Sequence, residues 1–316
     1  MRTLRTRWST ACLALLGTLS LHAQTVARPK ITAISHVGYF VSNLDAARQF
    51  WHGLLGFDEM YTLNKPGTDQ VRIAFIKIND HQHVELFTDP PANPPDHMSH
   101  ICFTVSDIEQ MKAYLRAQGF TIKSPAGAKV RTGDYAFEIK DPEGMLVEFV
   151  QSSPDGWETK AAGKFAPATR LSTSIFHAGF TVHHLDQTMD FYKRILGFTE
   201  TWRGSSDNKT LSWINMKLPD SDDYVEFMLG ANTDAKSQGV KNHLSLAVPS
   251  MDKAAAELKT RADAIGYTLP IDIHTGVNRK RQINLYDPDG TRVELMEPFT
   301  VDGHPAPSSS APPPAS

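Results

Sequence analysis

Four short apolar runs of this 316-residue chain each contain one glutamate: Val84-Glu85-Leu86-Phe87, Val147-Glu148-Phe149-Val150, Val225-Glu226-Phe227-Met228 and Val293-Glu294-Leu295-Met296. Four others each open on a histidine, at His36, His100, His177 and His243. A carboxylate in a strand with a buried face is costly unless something neutralises it. Any one such glutamate reads equally well as an outward-facing strand residue. Fourfold recurrence, each time with a histidine, points instead to a cation. Two modules facing each other supply two imidazoles and two carboxylates, an N₂O₂ set suited to a first-row divalent metal.

The elements that must position these groups follow from an internal repeat. His36 to Phe57 aligns without gaps on His177 to Phe198, keeping Gly38/Gly179, Val41/Val182, Leu44/Leu185, Asp45/Asp186, Phe50/Phe191 and the Leu-Gly-Phe ends. Asp141-Pro142-Glu143-Gly144 answers Asp287-Pro288-Asp289-Gly290. Each copy is itself doubled, because His100 to Val105 and His243 to Val248 repeat the pattern of His36 to Val41. Four modules begin near residues 31, 97, 172 and 240.

Within the first module, Ile31 to Val41 reads as a strand with His36 and Gly38 on one face. Asn43 is placed to cap a helix whose buried stripe is Leu44, Ala47, Phe50, Trp51 and Leu54. Gly56 suits the left-handed residue that ends it. Strands over Glu59 to Thr62, Val71 to Ile78 and His83 to Phe87 complete a β-α-β-β-β order and imply an antiparallel meander covered by the helix. His83 shares a strand face with Glu85, but its counterpart in the repeat is Tyr224, so it is read as a non-ligand.

Composition sets the outer bounds. Apolar residues make up 41% and charged residues 21%, with a formal net charge of -3, which excludes the basic stripe a nucleic-acid binder needs. Residues 1–23 combine Arg2, Arg5 and Arg7, an apolar run and a small residue at Ala23. This is the pattern of a signal peptide, implying an exported, periplasmic or secreted protein without stable membrane insertion. Its removal leaves Cys102 as the sole thiol, expected buried and inert. Residues 303–316, rich in Pro, Ser and Ala, are expected to form a disordered tail.

The His-x-Gly strands, Leu-Gly-Phe helix ends and Asp-Pro-[Glu/Asp]-Gly turns resemble those of the vicinal oxygen chelate superfamily, also described as the glyoxalase, bleomycin-resistance and extradiol dioxygenase group. The resemblance implies an α+β fold of four βαβββ modules. They form two glyoxalase-like domains with curved sheets, at residues 31–151 and 172–298, joined by a linker at 152–171. It also implies metal sites at His36, Glu85, His100 and Glu148, and at His177, Glu226, His243 and Glu294. Pairing across the two domains would supply equivalent sets.

The implied cofactor is a divalent ion (nickel, zinc, manganese, cobalt or iron), and the implied partner a small-molecule substrate with neighbouring oxygens. Lewis-acid stabilisation of an enediolate, with Glu148 or Glu294 as base, gives lyase, isomerase or epimerase chemistry. Arg131, Tyr135 and Asn284 are candidate substrate contacts. An extradiol-type ring-cleaving dioxygenase, which uses two histidines and one carboxylate, and a non-catalytic bleomycin-resistance-like binding protein are the alternatives. Internal duplication fits a monomer or a homodimer.

Overall fold

Alternating apolar residues and well-placed turns fold the chain into two curved sheets. The computed structural model describes residues 26–91, 97–230 and 241–314, so the signal peptide expected at 1–23 lies outside the described residues. The first sheet is built from β1 (Ile31–Phe40), β2 (Glu59–Asn64), β3 (Val71–Lys77), β4 (His83–Phe87), β5 (Met98–Val105), β6 (Tyr135–Lys140) and β7 (Leu146–Gln151). Their order across the sheet is β2-β3-β4-β1-β5-β7-β6. The second contains β8 (Ile175–Val182), β9 (Thr199–Gly204), β10 (Trp213–Lys217), β11 (Tyr224–Leu229), β12 (His243–Ala247), β13 (His274–Thr275), β14 (Lys280–Tyr286) and β15 (Arg292–Thr300). Their order is β13-β14-β15-β12-β8-β11-β10-β9.

The meander β2-β3-β4 is antiparallel, and β4 then lies parallel to β1, a return that the intervening helix makes possible. β1 pairs antiparallel with β5, and β8 with β12, so facing modules belong to one domain, and among the described residues no strand pairs across the domains. In the second module the first strand of the meander is reduced to a single bridge between Lys129 and Tyr135. Pro125, Gly127 and Gly133 interrupt that stretch, and the latter two have positive φ, which breaks a ladder.

Asn43 Oδ1 accepts from the Ala46 N–H at 3.1 Å to start α1 (Leu44–Arg48), which continues as a π-helical turn over Gln49–Leu54. Ala47, Phe50, Trp51 and Leu54 are buried as expected, and Gly56 adopts a left-handed φ of 79°. The other helices among the described residues are α2 (Ile108–Ala117), α3 (Trp157–Lys160), α4 (Leu185–Met189, continued by Asp190–Ile195) and α5 (Met251–Ile265). None of the described helices is long and apolar enough to cross a membrane.

The domains clasp each other with equivalent parts. From the hairpin loop of the first, Gln82 Oε1 accepts from Ile175 N–H at 2.9 Å. From that of the second, Asp223 accepts from Ile34 N–H at 2.8 Å. The Asp-Pro turns do the same: Glu143 accepts from the His183 and His184 backbone N–H groups, and Asp289 from that of Ser42. These acceptors satisfy donors that would otherwise be stranded at strand and helix starts.

The carboxy-terminal segment differs from the disordered tail its composition suggests. Ser309 N–H donates to Arg203 O at 2.9 Å, Leu211 N–H to Pro312 O at 2.8 Å, and Trp202 Nε1–H to Pro307 O at 3.2 Å. Proline carbonyls accept as well as any others, and an extended polyproline segment presents them to an open sheet edge.

Burial pushes the Asp223 carboxyl up to about 6. A carboxyl raised above its unfolded value contributes stability below that value, and the contribution is lost as pH rises through about 6. Asp223→Asn keeps an acceptor for Ile34 yet cannot charge. Its thermal midpoint is therefore expected to gain on the unsubstituted chain between about pH 4 and about pH 8. A calorimetric difference that does not change with pH contradicts this.

Candidate metal centres

Strand register brings the first set of residues together. Gly38 on β1 pairs with His100 on β5 and with Glu85 on β4, while Cys102 pairs with both His36 and Glu148. His36 Nε2 lies 3.0 Å from His100 Nε2 and 3.1 Å from Glu148 Oε2. His100 Nε2 is 3.3 Å from Glu148 Oε2, and Glu85 stands 3.8 Å from His36 and 3.6 Å from His100. Bonds of about 2.1 Å at right angles would put neighbouring donors about 3 Å apart. The four side chains therefore fit a single divalent ion.

The His-x-Gly spacing now has a physical reason. A Cβ at Gly38 would lie 2.4 Å from His100 Cε1, and one at Gly179 would lie 2.0 Å from His243 Cε1. The glycine is the space into which the opposite histidine folds. Serine hydroxyls stand at the outer nitrogens in the first domain, Ser35 Oγ 3.1 Å from His36 Nδ1 and Ser99 Oγ 3.3 Å from His100 Nδ1. Accepting from Nδ1–H, they favour the tautomer that leaves each Nε2 lone pair free for a metal.

A further pair adjoins this site. His83 stacks on His36 with centroids 4.4 Å apart, and its Nδ1 lies 3.1 Å from Glu158 Oε1. Its Nε2 is 3.6 Å from Glu85, so His36, His83 and Glu85 form a second possible donor grouping around the same point. Glu158 comes from α3, in the stretch expected only to link the domains. Burial would by itself raise the Glu148 carboxyl, but hydrogen bonds from His100 and His36 prevail and hold it well below the usual range. Burial would likewise lower His83, yet Glu158 and Glu85 raise it to about 9.

The second set also converges, with His177 Nε2 3.0 Å from His243 Nε2 and 3.5 Å from Glu294. Glu226 is 3.9 Å from His177 and 3.7 Å from His243. Its surroundings differ. Arg292 replaces Leu146 in the strand register, and its Nη2 lies 2.6 Å from His243 Nδ1, which is also 2.6 Å from Lys241 O. The Lys241 carbonyl accepts only from Nδ1–H whereas the guanidinium donates only to a bare Nδ1, so the two contacts compete for one nitrogen, and a hold by the guanidinium would put the ring proton on Nε2, the atom a metal needs free. Phe176 replaces Ser35, and His177 Nδ1 has no partner among the described residues. Burial, aided by Arg292, lowers both imidazoles well below their ordinary range, and burial with the nearby Glu294 raises Glu226 to about 8.

Access separates the two sites further. A cavity of about 380 Å³ opens onto His36, Glu85, His100 and Glu148 of the first, and the Glu148 side chain is 23% exposed. In the second, His177 and His243 are wholly buried. Arg131 lines the first cavity, whereas Tyr135 lies beneath Lys129 at 5.0 Å and Asn284 is paired with Glu294 across the strands. Cys102 is buried with its thiol pushed up by that burial, and it lies close enough to His36 and Glu148 to be a further possible donor.

The chain belongs to the Glyoxalase/Bleomycin resistance protein/Dioxygenase superfamily, whose model matches residues 33–149 and 174–295. Glyoxalase I of Saccharomyces cerevisiae is 27% identical over 125 residues, a stretch covering 39% of this chain and 36% of the yeast protein. Among solved structures, a homoprotocatechuate 2,3-dioxygenase from Brevibacterium fuscum superposes with a TM-score of 0.65 at 16% identity, over 91% of this chain and 76% of its own. A catechol 2,3-dioxygenase gives 0.65 at 17% identity, covering 90% and 92%. At these identities the structures show a shared fold.

If Gly38 makes room for a ligand, Gly38→Ala should displace His100 and weaken divalent-metal binding by roughly tenfold or more in a folded chain. Competition titration with a chromogenic chelator measures this, and an unchanged affinity contradicts it.

Proposed function

We propose that the protein is a metal-dependent enzyme acting on a small substrate with vicinal oxygens through an enediolate-type intermediate, as a glyoxalase-like lyase, isomerase or epimerase, and that its first domain performs the reaction. The observation that carries this reading is the cavity of about 380 Å³ that ends on Glu148 between two imidazoles. His36, Glu85, His100 and Glu148 would hold the ion, which supplies Lewis-acid polarisation of the two substrate oxygens.

The remaining work falls to side chains. Glu148 is the more exposed of the two carboxylates and faces the cavity, so it is placed to take a proton from the carbon beside the carbonyl. Returned to the neighbouring carbon, that proton gives isomerisation; returned to the same carbon from the other face, it gives epimerisation. Phe75, Phe87 and Ile73 supply the apolar wall that limits water around the reacting carbon. Arg72, paired with Asp89 at 3.6 Å, and Arg131 line the same cavity and suit a polar substrate end. Similarity to yeast glyoxalase I supports this class over ring cleavage, and the second carboxylate, Glu85, supports it too.

A panel of α-hydroxy carbonyl compounds and catechols tests the reading with unsubstituted, Glu148→Gln and Glu294→Gln chains. Loss of a general base costs about a hundredfold or more. The expected result is turnover of an α-hydroxy carbonyl compound that falls by that factor in Glu148→Gln and survives in Glu294→Gln. Oxygen uptake with a catechol would replace the reading by ring cleavage. Saturable binding without turnover of any compound would replace it by a binding protein.

A further inference from the structure

The second sheet holds a cavity of its own, about 500 Å³, roofed by Gly303, Pro305 and Ala306 of the carboxy-terminal segment. That size is ample for a small-molecule site. The cavity does not open on the buried imidazoles. Tyr224, stacked on His177 at 4.6 Å, and Asn215, paired with Glu226 across the strands, form a floor between them and the cavity. Phe176 and Trp202 are its aromatic walls.

Lys280 also faces this cavity, its Nζ 4.4 Å from the centre of the Phe176 ring. The acid at the rim, Asp222, is already bound to Lys217 at 2.5 Å, and Glu294 acts on Lys280 only at longer range. Asn215 is only 9% exposed, and its Oδ1 has no hydrogen-bond partner among the described residues. A half-buried ammonium with no paired carboxylate is costly unless an anion completes it, while the Asn215 oxygen, an acceptor, calls for a donor such as that ammonium.

The first domain shows how far the copies have diverged here. Glu138 pairs with Glu148 as Asn284 pairs with Glu294, and counting four residues back gives Asp134 in one copy and Lys280 in the other. In the same way Phe75 stands opposite Glu85 where Asn215 stands opposite Glu226. At that position of the cavity wall the charge is thus reversed, and a polar amide replaces an aromatic ring.

We propose that the cavity of the second domain is a binding site for a small aromatic carboxylate, held by Lys280 with its ring against Trp202 and Tyr224. No metal contacts this ligand, because the floor keeps it from the imidazoles. The ammonium supplies the counter-charge, and the aromatic walls select a flat ring over an aliphatic acid.

Trp202 provides a local reporter. The full chain is titrated with benzoate, and in parallel with benzyl alcohol, while tryptophan fluorescence is followed. The expected result is a saturable change with benzoate, at least about tenfold weaker with benzyl alcohol, since the neutral ring forgoes a charge-assisted contact. Lys280→Met, which keeps the aliphatic stem over Phe176, should weaken benzoate by a similar factor, and Lys280→Arg should retain it. Trp157 adjoins the first cavity through Tyr61, so Trp202→Phe locates the response: abolition of the signal supports the second cavity. Equal response to both probes, indifference to Lys280→Met, persistence in Trp202→Phe, or no saturable change would each overturn the proposal. None of these readings depends on turnover at the first domain.

Discussion

Two imidazole rings meet nitrogen to nitrogen at 3.0 Å across a pair of antiparallel strands, and much of each domain is arranged around that approach. Opposing strand residues do not normally bring ring nitrogens so close. Here the partner of each second histidine is a glycine, and the missing side chain is the space the ring occupies. The carboxylates then arrive from the strands parallel to these two, which fixes the order β4-β1-β5-β7 and its equivalent in the second sheet. Buried histidines and glutamates in this number would oppose folding were they not paired with one another or with an ion.

The duplicated sites resolve the same burial problem differently. In the first, hydrogen bonds from His100 and His36 hold the Glu148 carboxylate charged, and Glu158 and Glu85 raise His83 beside it. In the second, burial drives imidazoles and carboxyls toward their neutral forms, and Arg292 supplies a fixed positive charge beside them. Leu146, the residue facing His100 where Arg292 faces His243, marks the substitution that separates the two environments. Accessibility follows the same division, since one set borders a cavity and the other lies under a floor of Tyr224 and Asn215.

Much of this arrangement was legible in the residues. Glutamates interrupt apolar strands in a way that period-two alternation makes conspicuous, and the repeat supplies four independent instances. Asn43 and Gly56 announce the ends of the first helical segment by chemistry local to themselves. What escaped was set by tertiary contact. Glu158 lies outside the repeat, in a segment whose composition reads as linker, and only folding carries it to His83. His83 reads as a non-ligand because Tyr224 is its counterpart, and the sequence does not reveal that both residues stack on the first-strand histidine. Arg292 reads as an ordinary polar strand residue until its partner across the sheet is known. The proline-rich tail illustrates a different limit, because composition measures the lack of an apolar anchor and is blind to carbonyls received by a sheet edge.

The most direct measurement is equilibrium dialysis of the full chain against a divalent metal such as cobalt or zinc, with His100→Ala and His243→Ala chains beside it. Removing one of two imidazole ligands lowers metal affinity by orders of magnitude at the site that loses it. The account expects about one tightly bound equivalent per chain, lost in His100→Ala and retained in His243→Ala. Absence of tight binding, or loss of the tight equivalent in His243→Ala alone, would contradict it.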